Sequence, residues 1–97
     1  MTVAVYVPDL MDRSKIMAVA PDAVVVARID DVVAAPGDIV IVDLSRPGVL
    51  DAVVALVGSG VRVVGFASHV DRDTLDRAHT AGCEVFARSA FFSRCAE

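Results

Sequence analysis

The sequence is poor in cysteine, with two in 97 residues. Cys83 and Cys95 do not form a CxxC pair and have no histidine nearby at a spacing typical of zinc ligands. Two cysteines are also too few for the disulfide framework of a small secreted domain. We therefore expect two free thiols in a reducing cytoplasmic environment.

Long apolar runs and clusters of basic residues are also missing. No apolar stretch approaches the roughly 20 residues of a membrane span, and the first residues lack the basic segment of an export signal. The formal net charge is -4, and no group of Lys and Arg is long enough to follow a phosphate backbone. We expect a soluble cytoplasmic protein that binds neither nucleic acid nor anionic membranes.

The remaining composition is that of one globular domain. Hydrophobic residues make up 56% of the chain and charged residues 23%, which excludes intrinsic disorder and low-complexity structure. A chain of 97 residues can bury one core but not two. We expect a single domain over residues 1–97.

Short valine-rich runs alternate with helical segments along the chain. The runs lack the in/out alternation of half-exposed strands, which favours a parallel sheet covered on both faces. The predicted strands are Val3–Val7, Ala23–Ala27, Ile39–Val42, Val63–Ala67 and Val85–Ala87. The predicted helices are Asp12–Ala20, a short Asp30–Ala35, Leu50–Val57, which ends at Gly58, and a fourth helix that Asp71 caps, that runs through Ala81 and that Gly82 closes. This order predicts a doubly wound, flavodoxin-like α/β fold with strand order 2-1-3-4-5.

Polar residues follow the predicted strands at the edge where ligands bind in such folds. Asp9 comes just after strand 1, Asp43 ends strand 3, and Ser68 follows strand 4. Two carboxylates at one edge could hold a hard divalent cation such as Mg²⁺. Asp12, one turn into helix 1, is expected to face the positive end of the helix dipole.

The segment Asp43-Leu44-Ser45-Arg46-Pro47-Gly48 resembles the phosphoacceptor segment of receiver domains in bacterial two-component response regulators, where Pro follows the acceptor Asp after four residues. The resemblance covers nearly the whole chain. It implies that Asp43 occupies the phosphoacceptor position. It also implies that Asp9 and the Ser45 carbonyl, with Asp43, occupy the positions of metal ligands.

Several positions depart from that pattern. Pro8 stands where receivers carry the first of two adjacent acids, and Ala67, next to Ser68, stands at the position after strand 4 whose hydroxyl contacts the phosphoryl group. The resemblance implies that the switch and phosphate-contact positions fall on Ala67, Ser68, Arg88 and Ser89. The Lys-Pro pair after strand 5 is replaced by Arg88-Ser89, and Arg does not substitute for Lys as a point charge. We expect Arg88 or Ser89 to fill the lysine position, with Asp43 either paired with Arg88 or open to solvent.

These departures predict an atypical receiver, or pseudo-receiver. We expect a stand-alone, non-enzymatic signalling module that acts by binding proteins, without normal phosphorylation. The alternative is a single-domain response regulator in a phosphorelay, phosphorylated on Asp43 by a histidine kinase in the presence of Mg²⁺.

Helix 5 is predicted to be a stub over Ala90–Ala96. A short helix 5 would uncover apolar sheet surface beside helix 1, and two adjacent aromatic side chains are not expected to face inward together from one helical turn. Phe91 and Phe92 are therefore predicted to form an interface, either in a homodimer or with an obligate partner.

Overall fold

A computed structural model of the chain describes residues 2–95, without the side chain of Cys95. Strands and helices alternate from end to end, as the sequence predicts. The elements are β1 Val3–Tyr6, α1 Leu10–Val19, β2 Val24–Val25, α2 Ile29–Ala34, β3 Ile39–Asp43, α3 Val49–Gly58, β4 Arg62–Ala67, α4 Arg72–Thr80, β5 Glu84–Ala87 and α5 Arg88–Cys95. Ala96, where the predicted helix 5 ends, lies outside the described residues. Among residues 2–95, no helix has the length and apolar character needed to cross a membrane.

The five strands form one sheet in the order β2-β1-β3-β4-β5, and every neighbouring pair is parallel. This confirms the predicted fold class and strand order. The register places Asp43 of β3 beside Phe66 of β4, and Phe66 beside Phe86 of β5. The carboxyl ends of the central strands therefore meet at one edge of the sheet.

Two hydrophobic clusters lie on opposite faces of the sheet. Alternate residues of β3 supply them: Val40 and Val42 belong to one cluster, and Ile41 packs against the other. The first cluster takes Val32 from α2, Val53 from α3 and Ala78 from α4, and the second takes Ile16 from α1 and Phe91 from α5. Because both faces carry helices, the strands need no polar face, which explains their uninterrupted apolar runs.

The structure corrects one predicted helix end. Gly58 is the last residue of α3 rather than its stop signal, and the helix closes at Gly60, whose φ is +84°. The Gly60 N–H donates to the Val57 carbonyl and the Val61 N–H to the Leu56 carbonyl, a Schellman ending that requires positive φ. The predicted cap of α4 is confirmed, because the Asp71 carboxylate accepts the Thr74 N–H at 3.3 Å.

Two other elements differ from prediction in length. β2 covers only Val24–Val25, because the Ala23 N–H donates to the Ala20 carbonyl in a turn and β2 has a neighbour on one side only. α5 begins at Arg88, directly after β5, because no Gly or Pro in Arg88-Ser89-Ala90 opposes helical geometry.

The two rings of Phe91 and Phe92 both pack inward, so the expectation that they could not is wrong. Their centroids lie 4.8 Å and 5.1 Å from the Phe66 centroid. Phe91 is 7% exposed and Phe92 is half-buried. Adjacent helical residues point in different directions, but the large Phe66 ring in the sheet lies between both and reaches each of them.

A groove of about 380 Å³ remains beside α5, at the beginning of β4 and β5. Its apolar lining includes Val19, Val64, Phe86 and Phe91, with Arg62 and Glu84 at its rim. α5 therefore covers the carboxyl half of this face and leaves the amino half partly open. Whether Phe91 and Phe92 also form an interface stays a prediction.

Cys83 packs as a small apolar residue, 3% exposed, and burial raises the pKa of its thiol to about 11. In a Cys95→Ser variant, we expect native protein at pH 8 to react with a thiol reagent at least roughly 100-fold more slowly than unfolded protein, since the thiolate is rarer and enclosed. Time-resolved labelling in the presence and absence of urea measures this difference. Equal rates would show that the thiol is accessible in the native state.

Candidate functional site

The candidate site lies at the carboxyl edge of the sheet, where consecutive loops converge. Asp9 follows β1, Asp43 ends β3, Ala67 ends β4 and Arg88 begins α5 directly after β5. The parallel order of these strands brings the four positions to one edge, as predicted. We call this set of residues, with Asp12 and Arg46, the acidic rim.

Asp43 is held tightly by its own loop. The side chain is buried, and its Oδ1 accepts the Ser45 N–H at 3.0 Å and the Ser45 hydroxyl at 2.7 Å. Its Oδ2 faces the Arg46 Nε at 3.4 Å. Both carboxylate oxygens therefore have donors from residues two and three positions further along the chain. Ser45 enters the site through its N–H and hydroxyl.

Asp9 acts as the N-cap of α1. Its carboxylate accepts the Asp12 N–H at 3.0 Å. This hydrogen bond is the main cause that lowers the pKa of Asp9, and the positive charges of Arg88 and Arg46 add to it. Asp9 is thus an exposed, ionised group whose side chain fixes the beginning of the helix.

Asp12 is a member of the site that the sequence analysis missed. The helix dipole was its expected partner, ahead of a role beside Asp9 and Asp43, but its side chain is 2% exposed and pairs with the Arg88 guanidinium. One signal in the sequence could have revealed its burial. Ile16 lies four residues later on the same face of α1 and is buried in the core, so Asp12 had to face the sheet as well.

Arg88 supplies the cation at the end of β5. Its guanidinium donates to the Asp12 carboxylate, and this bond raises the pKa of Arg88, with smaller contributions from the charges of Asp43 and Asp9. The guanidinium also lies over the Phe92 ring, 5.2 Å from its centroid. The expectation that Asp43 is paired with Arg88 or open to solvent is therefore wrong. Arg46, three residues from Asp43, pairs with it, and Arg88 is held by Asp12.

The remaining predicted positions offer no convergent hydroxyl. Ala67 is buried at the hydroxyl position, and the neighbouring Ser68 is exposed. The Ser68 Oγ accepts the Val70 N–H at 3.4 Å within its own loop. Ser89 is exposed in the first turn of α5. Their assignment to switch or phosphate-contact positions stays a prediction.

The donor set at the rim does not fit a dedicated Mg²⁺ site. Within residues 2–95, no three or more His, Cys, Asp or Glu side chains are grouped so that they could hold a metal ion. Asp9 caps a helix, and guanidinium groups already lie against Asp12 and Asp43. Those two positive charges would repel a divalent cation, whereas Mg²⁺ binds through free carboxylates and water.

The strand order 2-1-3-4-5, with helices on both faces of a parallel sheet, is a flavodoxin-like fold. A solved structure with this fold is the signal receiver domain of a modulated diguanylate cyclase from Desulfovibrio desulfuricans G20, described as an example of alternate folding. It superposes with a TM-score of 0.66 at 18% sequence identity, over 98% of this chain and 89% of that chain. No protein-family model and no curated protein sequence matches this chain.

Proposed function

We propose that this chain is a receiver-like signalling module that binds protein partners and does not take up a phosphoryl group at Asp43. The role is that of an interaction domain rather than an enzyme. The observation that carries the proposal is the pairing of both buried carboxylates of the acidic rim with arginine, Asp12 with Arg88 and Asp43 with Arg46.

These two ion pairs engage the cations that a transferred phosphoryl group would need. Phosphoryl transfer depends on positioned cations that neutralise charge developing on the transferred group. Here the guanidinium groups already neutralise carboxylates of the chain itself. Ala67 provides no hydroxyl, and a phosphoryl group bonded to one Asp43 oxygen would displace either the Ser45 contacts of Oδ1 or the Arg46 contact of Oδ2.

Exposed apolar side chains around the acidic rim support a protein partner. Leu10 and Met11, in the first turn of α1, are 67% and 73% exposed, and Val70, in the loop after β4, is 73% exposed. Leu10 and Met11 follow β1 and Val70 follows β4, and these two strands flank β3. Apolar side chains beside charged groups are typical of a surface that a second protein covers.

The phosphoacceptor test separates this proposal from the alternative. The protein is incubated with Mg²⁺ and acetyl phosphate, beside a conventional receiver domain as positive control, and intact masses are measured. We expect the control to gain a phosphoryl mass and this chain to keep its own. Asp43→Asn serves as the site control.

A stoichiometric, Mg²⁺-dependent adduct that is lost in Asp43→Asn would overturn the proposal. It would favour the alternative, in which a histidine kinase phosphorylates Asp43. An adduct that persists in Asp43→Asn would show modification elsewhere and would leave Asp43 outside the reaction.

A further inference from the structure

The groove beside α5, which we call the α5 groove, is apolar on its floor and on both walls. The floor is the sheet, where Val64 of β4 and Phe86 of β5 pack toward the second hydrophobic cluster. The walls are Val19, the last residue of α1, and Phe91 of α5. The volume of about 380 Å³ lies in the usual range for small-molecule sites, about 300–1,000 Å³. The α5 groove therefore has the size and lining of a ligand site.

The α5 groove is short and bounded at both ends. Phe91 bounds it toward the acidic rim, and Arg62 and Glu84 bound it at the beginning of the strands. On β4 it lies between Arg62 and Phe66, which are roughly 13 Å apart in an extended strand. A stable protein interface buries about 800 Å² on each partner, whereas the groove offers parts of four apolar side chains. A compact ligand suits it better than a protein segment.

The charges at the rim of the α5 groove are of two kinds. Arg62 and Glu84 neutralise each other, because the Arg62 guanidinium donates to both Glu84 oxygens, with Nη2 at 3.0 Å from Oε1. Arg94 lies over the Phe86 ring, 5.2 Å from its centroid, and takes part in none of the ion pairs formed among residues 2–95. The rim thus presents one cation that is available to an anionic group.

We propose that the α5 groove binds a small organic acid with one carboxylate and an apolar chain. The chain lies against Val64 and Phe86, and the carboxylate accepts two hydrogen bonds from the Arg94 guanidinium. The contact with the Phe86 ring keeps the guanidinium at the groove before the ligand arrives. Glu84 does not repel the acid, because Arg62 already neutralises its charge.

The α5 groove is separate from the acidic rim, and a ligand there goes beyond the proposed function. Binding of an acid beside α5 does not depend on whether Asp43 accepts a phosphoryl group. Failure of one proposal therefore leaves the other intact.

Titration with octanoate, followed by the NMR chemical shifts of the labelled protein, tests the proposal. We expect saturable shifts centred on Val19, Val64 and Phe86, with a dissociation constant of about 1 mM for so small a ligand. Octanol has the same chain without the charge and is expected to bind about tenfold more weakly. Octyltrimethylammonium carries the opposite charge and is expected to produce no saturable shifts in the groove.

Arg94→Met tests the cation. The variant is expected to weaken octanoate binding about tenfold and to leave octanol binding unchanged, because only the acid uses the guanidinium. Arg94→Lys keeps the charge but not the paired N–H groups, and is expected to recover part of the loss.

Two substitutions that fill the α5 groove test its location. Val64→Phe on the floor and Val19→Phe on the wall are each expected to abolish binding of both octanoate and octanol. Val19 is 56% exposed, so its variant folds even if the sheet rejects the larger ring at Val64. Val54→Phe, at a 60% exposed position of α3 on the opposite face of the sheet, is the matched control and is expected to bind like the parent. Circular dichroism verifies that each variant is folded.

Several results would overturn the proposal. One is the absence of saturable octanoate shifts in the groove, or shifts centred elsewhere, for example on Leu10 and Val70. Equal affinities for octanoate and octanol would show that no cation holds the carboxylate. An Arg94→Met protein, or a folded Val19→Phe protein, that binds octanoate as tightly as the parent would also contradict the assigned site.

Discussion

Replacing Phe66 with alanine is expected to lower the free energy of unfolding by about 3–5 kcal/mol, the range for deleting a fully buried aromatic ring. The Phe66 side chain is 0% exposed and contacts both rings of α5. Because the free energy of unfolding of a small domain is only about 5–15 kcal/mol, this one substitution would remove a large part of it. The loss should fall mainly on the docking of α5.

Urea unfolding followed by far-ultraviolet circular dichroism measures the effect. Phe66→Leu is the matched control, because it keeps most of the apolar volume, and we expect it to cost clearly less than the alanine variant. If Phe66→Ala unfolds at the same urea concentration as the parent, the packing of Phe66 against Phe91 and Phe92 does not hold α5 on the sheet.

Arg88→Met is expected to destabilise the protein by about 2 kcal/mol at neutral pH. Removing one partner of a buried ion pair costs about 3–5 kcal/mol, and we take a smaller value because the Arg88 side chain is 45% exposed, while Asp12 is 2% exposed. The variant leaves the Asp12 charge buried without a partner.

Two comparisons isolate the ion pair from other effects of losing an arginine. Arg94→Met, on the same helix, removes a guanidinium over the Phe86 ring and is expected to have a smaller effect. Asp12→Leu/Arg88→Met removes both charges and should recover much of the lost stability. Additive losses in the double variant, measured by urea unfolding at pH 7, would contradict a direct interaction between the two residues.

The sequence was sufficient to predict the order of elements and the sheet topology, because β3 and β4 are short apolar runs that only a doubly covered parallel sheet can bury. The sequence was less informative about the residues at which helices and strands end. Gly58 and Gly60 are both plausible stops for α3, and only the backbone angle at Gly60 decides between them. β2 was predicted too long, since apolar composition does not reveal that a turn takes the Ala23 N–H.

The site was predictable in position but not in pairing. Asp9 and Asp43 follow strands 1 and 3, so topology alone brings them to one edge. Asp12 and Arg88 are separated by 76 residues, and no local pattern states which acid a distant arginine will meet. Arg46 was close to Asp43 in the sequence, but its contact depends on the turn after β3, which spacing does not specify.

The pairing of Asp12 with Arg88 also has a consequence for how the chain is made. During synthesis, α1 and the strands through β5 leave the ribosome before α5 does. Until then the sheet face that carries Phe66 lacks the rings of Phe91 and Phe92, and Asp12 lacks its partner Arg88. Most native contacts can form earlier, but this face is completed only when α5 has left the ribosome, so the nascent chain carries an exposed apolar surface until then.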